Sequence, residues 1–127
     1  MVKNQGPKSN GMPELHSLTP LLGTLQNKGF KVAILTDGRM SGASGKVPAL
    51  IHVCPEAAND GPIDEIHTGD LIEINLHDGT FNLISKVSEF SNLSDSHSTL
   101  TLGRELFGTF RANVSNAEQG ATILTFD

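Results

Sequence analysis

The sequence predicts a mixed α/β domain whose short strands curl into a barrel. Three observations carry this. The apolar run at 32–35, Val-Ala-Ile-Leu, reads as a buried strand. At 71–76, Leu71, Glu73 and Asn75 alternate with Ile72, Ile74 and Leu76, the pattern of a half-buried strand, and an Asp78-Gly79 turn returns the chain through 81–87. Helix signals stand on either side, in a Thr19-Pro20 start and in Leu102, Leu106, Phe110 and Val114 at four-residue spacing.

Each element has a local reason. Gly6-Pro7 and Ser9-Asn10-Gly11 predict a glycine-rich loop, and Pro13 opens a short helical segment at 13–17. Thr19 is the expected N-cap of a helix with Leu21, Leu22 and Leu25 as its apolar stripe, ended by Asn27-Lys28-Gly29. After the strand at 32–35 comes a loop, and Pro48 then opens a mostly apolar helix through Ala49, Leu50, Ile51 and Val53. Pro55-Glu56-Ala57 breaks it and Asn59-Asp60-Gly61-Pro62 turns the chain. A strand is expected at 63–66, the hairpin at 71–87, and an exposed serine-rich connection at 88–99. A helix at 102–114 and a final strand at 121–126 complete the order.

Length and composition exclude several function classes. The 127 residues suit one domain with a real core. A formal charge of −5, with no Lys/Arg cluster, argues against nucleic acid as a partner. No apolar run reaches the length of a membrane span, and the default expectation is a cytoplasmic protein without a membrane partner. One cysteine, Cys54, cannot form an internal disulfide or build a cysteine-ligated cluster by itself. Residues 1–12 are polar and read as a cut edge.

Chemistry is expected in one stretch, 32–57. A strand, a loop of small and hydroxyl residues, and a helix start would gather free N–H groups and aim them at an anion. Arg39 and Lys46 flank that loop with full charges. Ser41 stands at the turn, where a hydroxyl can be exposed and activated. It is not the serine of Gly-x-Ser-x-Gly, because Arg39 stands where the first glycine belongs. The alternative is a serine that only caps a helix. A Walker-type phosphate loop fails as well, since Val47 follows Gly45-Lys46. His52 and Glu56 share the spacing of some metal-ligand pairs, but a partly buried histidine with a hydrogen-bond partner is the simpler reading. His16 and the remaining histidines read as surface residues, and Cys54 as a small buried apolar one.

The run TDGRMSGASGKVPALIHVCPEA, followed by DGPI and by Gly69-Asp70-Leu71-Ile72, resembles the C-terminal domain of the dihydroxy-acid and sugar-acid dehydratases. NQGPKSNGMPELHSLTP, GRELF and NAEQGAT extend the likeness over nearly the whole chain and favour the phosphogluconate branch of that family. The resemblance implies a swivelling β/β/α domain, a small mixed barrel with flanking helices. It implies a hydro-lyase step of the Entner–Doudoroff route, 6-phospho-D-gluconate to 2-dehydro-3-deoxy-6-phosphogluconate plus water. The family's serine base falls on Ser41, acting as an alkoxide, and Arg39, Gly42, Ser44 and Lys46 fall around the substrate's carboxylate or phosphate. A 4Fe–4S cluster, with magnesium in several members, is implied for the longer enzyme, as is a homodimer. The cluster cysteines of the family lie in a larger N-terminal domain, and Cys54 is not one of them. Gln5 stands where dihydroxy-acid members place a magnesium-binding acid, and an amide is a poor ligand for a hard cation. Residues 1–127 thus read as a single C-terminal domain, separated from its partner domain and expected to be inert alone. The alternatives are a related dihydroxy-acid or sugar-acid dehydratase, or a swivelling module that binds an anion without chemistry.

Overall fold

Branched residues at 34–35 and the apolar stretch after Pro48 satisfy each other as two parallel strands, β1 (Ile34–Leu35) and β2 (Ala49–Leu50). The structure, a computed structural model, describes residues 1–41, 45–87 and 105–124. Ile34 N–H donates to Pro48 O and Thr36 N–H to Leu50 O, each at 2.9 Å, and Val53 N–H returns to Thr36 O at 3.1 Å. On the other side of β1, Val2 forms a parallel bridge with Thr36 and donates to Leu35 O at 2.9 Å. The polar lead is therefore part of the sheet region rather than a loose edge.

The helix expected from Pro48 does not form. A short apolar run cannot by itself distinguish a buried strand from a buried helix, and here the long-range ladder to β1 wins. Three further expectations change for the same kind of reason. Residues 7–10, read as loop, form a one-turn helix, α1 (Pro7–Asn10), ended by Gly11 at φ 71°. Residues 63–66 turn instead of extending, so that Ile63 and Ile66 both point into the core. The segment at 13–17 is extended at Glu14, which bridges Arg39 in parallel, and only His16–Leu18 coils, as a 3₁₀ turn.

Of the other elements, the helix from Thr19 and the hairpin fall where the sequence places them. The second helix, α2 (Thr19–Asn27), carries Pro20 in its first turn, although Leu18 is the N-cap and the Thr19 hydroxyl donates to Met40 Sδ at 3.6 Å instead of capping. The hairpin β3 (Leu71–Asn75) and β4 (Thr80–Ser85) is antiparallel, pairing Ile72 with Leu83 and Ile74 with Phe81 on its inner face. Asn75 Oδ1 accepts from His77 N–H and Asp78 N–H at 3.0 and 3.2 Å, and Gly79 takes φ 65°, which closes the turn. Near the end lie a 3₁₀ turn (Glu105–Phe107) and α3 (Gly108–Asn113), a shorter and broken version of the expected helix. Leu106 is 87% exposed, so the predicted apolar stripe is not buried along its length. Residues 121–124 form no strand, and the connection at 88–99 lies outside the described residues.

The core joins Leu35, Leu50, Val53, Ala57, Ile63 and Ile66, with Ile72, Ile74 and Phe81 of the hairpin packed on it. The architecture is mixed α/β. Among the described residues the strands form two separate pairs, not a closed barrel, because only one short ladder links each pair. Among those residues, too, no helix is long and apolar enough to cross a membrane.

Two buried carboxylates fasten this core to the N-terminal segment. Asp37 accepts Gln5 N–H on Oδ1 at 2.9 Å, and Asn4 N–H and Ala57 N–H on Oδ2, both at 3.1 Å. Glu56 accepts Lys8 N–H at 2.7 Å, Ser9 N–H at 3.0 Å and the Ser9 hydroxyl at 2.9 Å. Lys8 and Ser9 lie in the first turn of α1, so Glu56 supplies from far along the chain the cap that its own sequence lacks. Gly6 is required by this arrangement. A Cβ there would run into Glu56 Oε2 and come within 2.6 Å of Glu56 Cβ and Cδ.

Gly6→Ala is expected to destabilise the chain by about 1–3 kcal/mol through overpacking. Glu56→Ala, which orphans two N–H groups, is expected to cost roughly 3 kcal/mol. Urea unfolding checks both, and an unchanged midpoint for either would contradict the fastening described here.

Candidate functional site

The strand β1 delivers Thr36-Asp37-Gly38 into the core and brings Arg39-Met40-Ser41 out beside residues 12–16. Gly38 makes the crossing possible, since a Cβ there would meet Gln5 Cβ at 2.7 Å. Met40 is buried, and Ser41 emerges exposed. Segment 12–16 then runs alongside. Leu15 N–H donates to Arg39 O at 3.1 Å, and Arg39 Nε donates to Met12 O at 2.8 Å.

Ser41 is held through its backbone on both sides. Its N–H donates to Glu14 Oε1 at 2.7 Å. Its carbonyl O lies 3.1 Å from His16 Nδ1. A carbonyl only accepts, so Nδ1 carries the proton in that contact. Glu14 Oε1 also accepts His16 N–H at 3.0 Å, and Glu14 Oε2 lies 3.9 Å from an Arg39 terminal nitrogen. The Ser41 N–H, above all, holds the Glu14 carboxyl below the usual carboxylate range, helped by the Ser41 hydroxyl, the His16 N–H and the Arg39 charge.

The sequence-predicted residues are partly brought together. Arg39 and Ser41 share the Glu14 carboxylate. Lys46 is elsewhere: its ammonium donates to Asn27 Oδ1 at 2.6 Å and its carbonyl accepts from Gln26 Nε2 at 2.8 Å. Met40 touches the first residue of α2 and Lys46 touches the last turn. A nine-residue helix is about 13 Å long, and these two contacts fall at its opposite ends. Gly42 and Ser44 lie outside the described residues.

The helix N-terminus expected to contribute to an anion cradle is absent from the described residues. With β2 in place of a helix, no helix N-terminus follows the loop, and the Ser41 N–H is already committed to Glu14. Among the described residues of the loop, Arg39 and Lys46 carry the positive charge. Glu14 and His16 were missed by sequence reasoning. Their partners lie 27 and 25 residues away, a distance that no local periodicity reports. A cavity of about 320 Å³ lies between residues 50–54 and the hairpin turn at 79–81, and neither Ser41, Arg39 nor Lys46 lines it.

His52 and Glu56 do not act as a pair. His52 is exposed at φ 55°, whereas Glu56 is buried and committed to α1. The residues of this chain do not fit an iron–sulfur cluster. Cys54 is the single cysteine, and among the described residues no three His, Cys, Asp or Glu side chains group as metal ligands. Gln5 does not fit magnesium either, since its Oε1 accepts from Asn10 Nδ2 at 2.9 Å and its Nε2 donates to Lys3 O at 3.4 Å.

The lowered Glu14 ionisation has a sign that can be tested. A carboxylate depressed below the ordinary 4.5 keeps its donors above that pH and releases them as the pH falls through the lower value. The Glu14 carboxyl carbon should therefore titrate by NMR with a midpoint below 4.5. A midpoint at or above it would mean that Ser41 is not held in solution.

Comparison with known proteins places the chain in a family. Over 131 aligned positions the chain is 49% identical to a phosphogluconate dehydratase of Escherichia coli (strain K12), covering 99% of this chain and 22% of that protein. It is 50% identical to a phosphogluconate dehydratase of Rhizobium meliloti (strain 1021), covering 98% of this chain and 21% of that protein. A dihydroxy-acid dehydratase of Wolinella succinogenes is 37% identical over 98% of this chain and 22% of its own length. The chain thus spans about a fifth of the length of these relatives. Residues 1–121 match the family described as Dihydroxy-acid/6-phosphogluconate dehydratase C-terminal, and the chain belongs to that family.

Proposed function

We propose that this chain is the C-terminal part of a phosphogluconate dehydratase, a hydro-lyase that takes 6-phospho-D-gluconate to 2-dehydro-3-deoxy-6-phosphogluconate and water in the Entner–Doudoroff route. The observation that carries the reading is the identity of 49% to phosphogluconate dehydratases across almost the whole chain, against 37% to a dihydroxy-acid dehydratase. The swivelling β/β/α arrangement belongs to the same reading, as does a larger region of the same polypeptide as partner.

In this reading Ser41 Oγ, as the alkoxide, takes the proton from C2 of the sugar acid. The C2–H electron pair becomes the C2–C3 double bond, and the C3 hydroxyl leaves and takes up one proton to become water. That proton balances the one gained and then given up by Ser41, and the resulting enol tautomerises to the ketone. A base at C2 must sit beside the C1 carboxylate, and Arg39 is the cation that shares Glu14 with Ser41. Lys46, held at the other end of α2 by Asn27, is in this reading the cation that meets the phosphate. The family's iron–sulfur cluster belongs, in this reading, to the larger region.

The test is anaerobic dehydration of 6-phosphogluconate by a polypeptide at the length of the relatives, with this chain as its C-terminal part. Turnover is expected in that form and not in the 127-residue chain alone. Ser41→Ala should lower kcat by about 10²–10⁴-fold with little change in KM. Lys46→Ala should instead raise KM by about 10-fold, the loss of one charge-assisted contact. Full turnover by Ser41→Ala would remove the base assignment, and turnover of another sugar acid alone would move the substrate.

A further inference from the structure

We propose that Asn27 is a positioning residue for Lys46: its side-chain amide, at the last residue of α2, holds the ammonium ready for the substrate's phosphate. The inference deepens the reading in which Lys46 meets the phosphate, and rests on it.

A lysine is a poor anion ligand until something orders it. Its four-carbon stem has many rotamers, and an anion that binds a free lysine must select among them at the moment of binding. At Lys46 much of that ordering is done beforehand. Gly45, at φ 68°, turns the chain just before it, and the buried Val47 anchors the chain just after it. Pro48 O accepts the Ile34 N–H at 2.9 Å, which ties the following residues to β1. Two consecutive residues of α2 hold the part between. Gln26 Nε2 donates to the Lys46 carbonyl at 2.8 Å and fixes its peptide group. Asn27 Oδ1 accepts from the Lys46 ammonium at 2.6 Å and fixes the charged end. Backbone and side chain are thus held separately.

The Gln26 contact has a cost. Its Oε1 is buried and has no hydrogen-bond partner. Turning the amide over would set that oxygen against the Lys46 carbonyl, two acceptors face to face. The orphaned oxygen is what keeps the donor on Lys46.

An amide at position 27 suits holding rather than neutralising. An ammonium has three N–H donors and Asn27 takes one, which leaves two for phosphate oxygens. Asn27 carries no charge, so the positive charge of Lys46 stays whole. Lys86 shows the opposite arrangement, with a Glu65 carboxylate oxygen 2.9 Å from its ammonium. Among the described residues Lys46 forms no ion pair.

The experiment uses the polypeptide at the length of the relatives, with Asn27→Ala, Lys46→Ala and the double variant compared. Asn27 is exposed and alanine is a strong helix former, so Asn27→Ala keeps the fold. Two readouts are taken: kcat and KM for 6-phosphogluconate, and the inhibition constant of inorganic phosphate as a competitor. Asn27→Ala is expected to raise KM and the phosphate inhibition constant together by about 3–5-fold, with kcat within about 2-fold, because the lysine must then be ordered on binding. In the Lys46→Ala background Asn27→Ala should change nothing further, since the group it holds is gone. If Asn27→Ala leaves both constants at wild type while Lys46→Ala raises them, the positioning role is overturned and the phosphate assignment stands. An equal rise with and without Lys46 would overturn it too, as an effect that does not pass through the lysine. If Lys46→Ala itself leaves KM unchanged, the phosphate assignment fails, and positioning of that lysine falls with it.

Discussion

Backbone N–H groups donated to two buried carboxylates are the constraint on which the rest depends. Asp37 and Glu56 are almost wholly removed from water, and between them they receive six hydrogen bonds from residues 4, 5, 8, 9 and 57. A buried charge is tolerated only when its lone pairs are filled, and here the filling is done by the N-terminal segment. That requirement places Val2 against β1, α1 against the turn at 57–59, and Gly6 directly over Glu56. It also sets the stage for chemistry. Once residues 4–9 are fixed, the chain that follows has to pass Arg39 and Ser41 on its way to α2.

The candidate site is therefore assembled from two runs, 12–16 and 39–41, and from one helix that spans the interval to Lys46. No single run contains it. Met40, between Arg39 and Ser41, meets the start of α2 and Lys46 meets its end, so the two cations stand apart. Ser41 is exposed but not loose, because its peptide group is bonded on both sides.

Much of this was legible in the sequence, and the limits have physical causes. The hairpin at 71–85 was readable because alternation and an Asp-Gly turn are local signals, and α2 because Pro20 and the Lys28-Gly29 end are local too. Ser41, Arg39 and Lys46 were legible as a cluster of residue types. What was not legible was everything decided at long range. Ala49-Leu50 looks helical until a parallel partner is present, and residues 7–10 look like loop until Glu56 caps them. Glu14 drew no notice because a lone acid after a proline has no local signature, and its partners are two dozen and more residues away. The predicted barrel is not closed among the described residues, and strand count by itself does not determine closure.

The long reach of the carboxylate bonds has a consequence for how the chain acquires its form. Glu56 meets its donors across 47 and 48 residues, and Asp37 meets two of its own across 32 and 33. Emerging from a ribosome, residues 2–9 would lack these particular partners until residues 34–57 had also been made. The parallel pairing of Val2, β1 and β2 is likewise non-local, so little of the core can be stabilised early by neighbours in sequence. Such a topology folds late and as a unit, with both acidic side chains hydrated until the N-terminal segment returns to cover them.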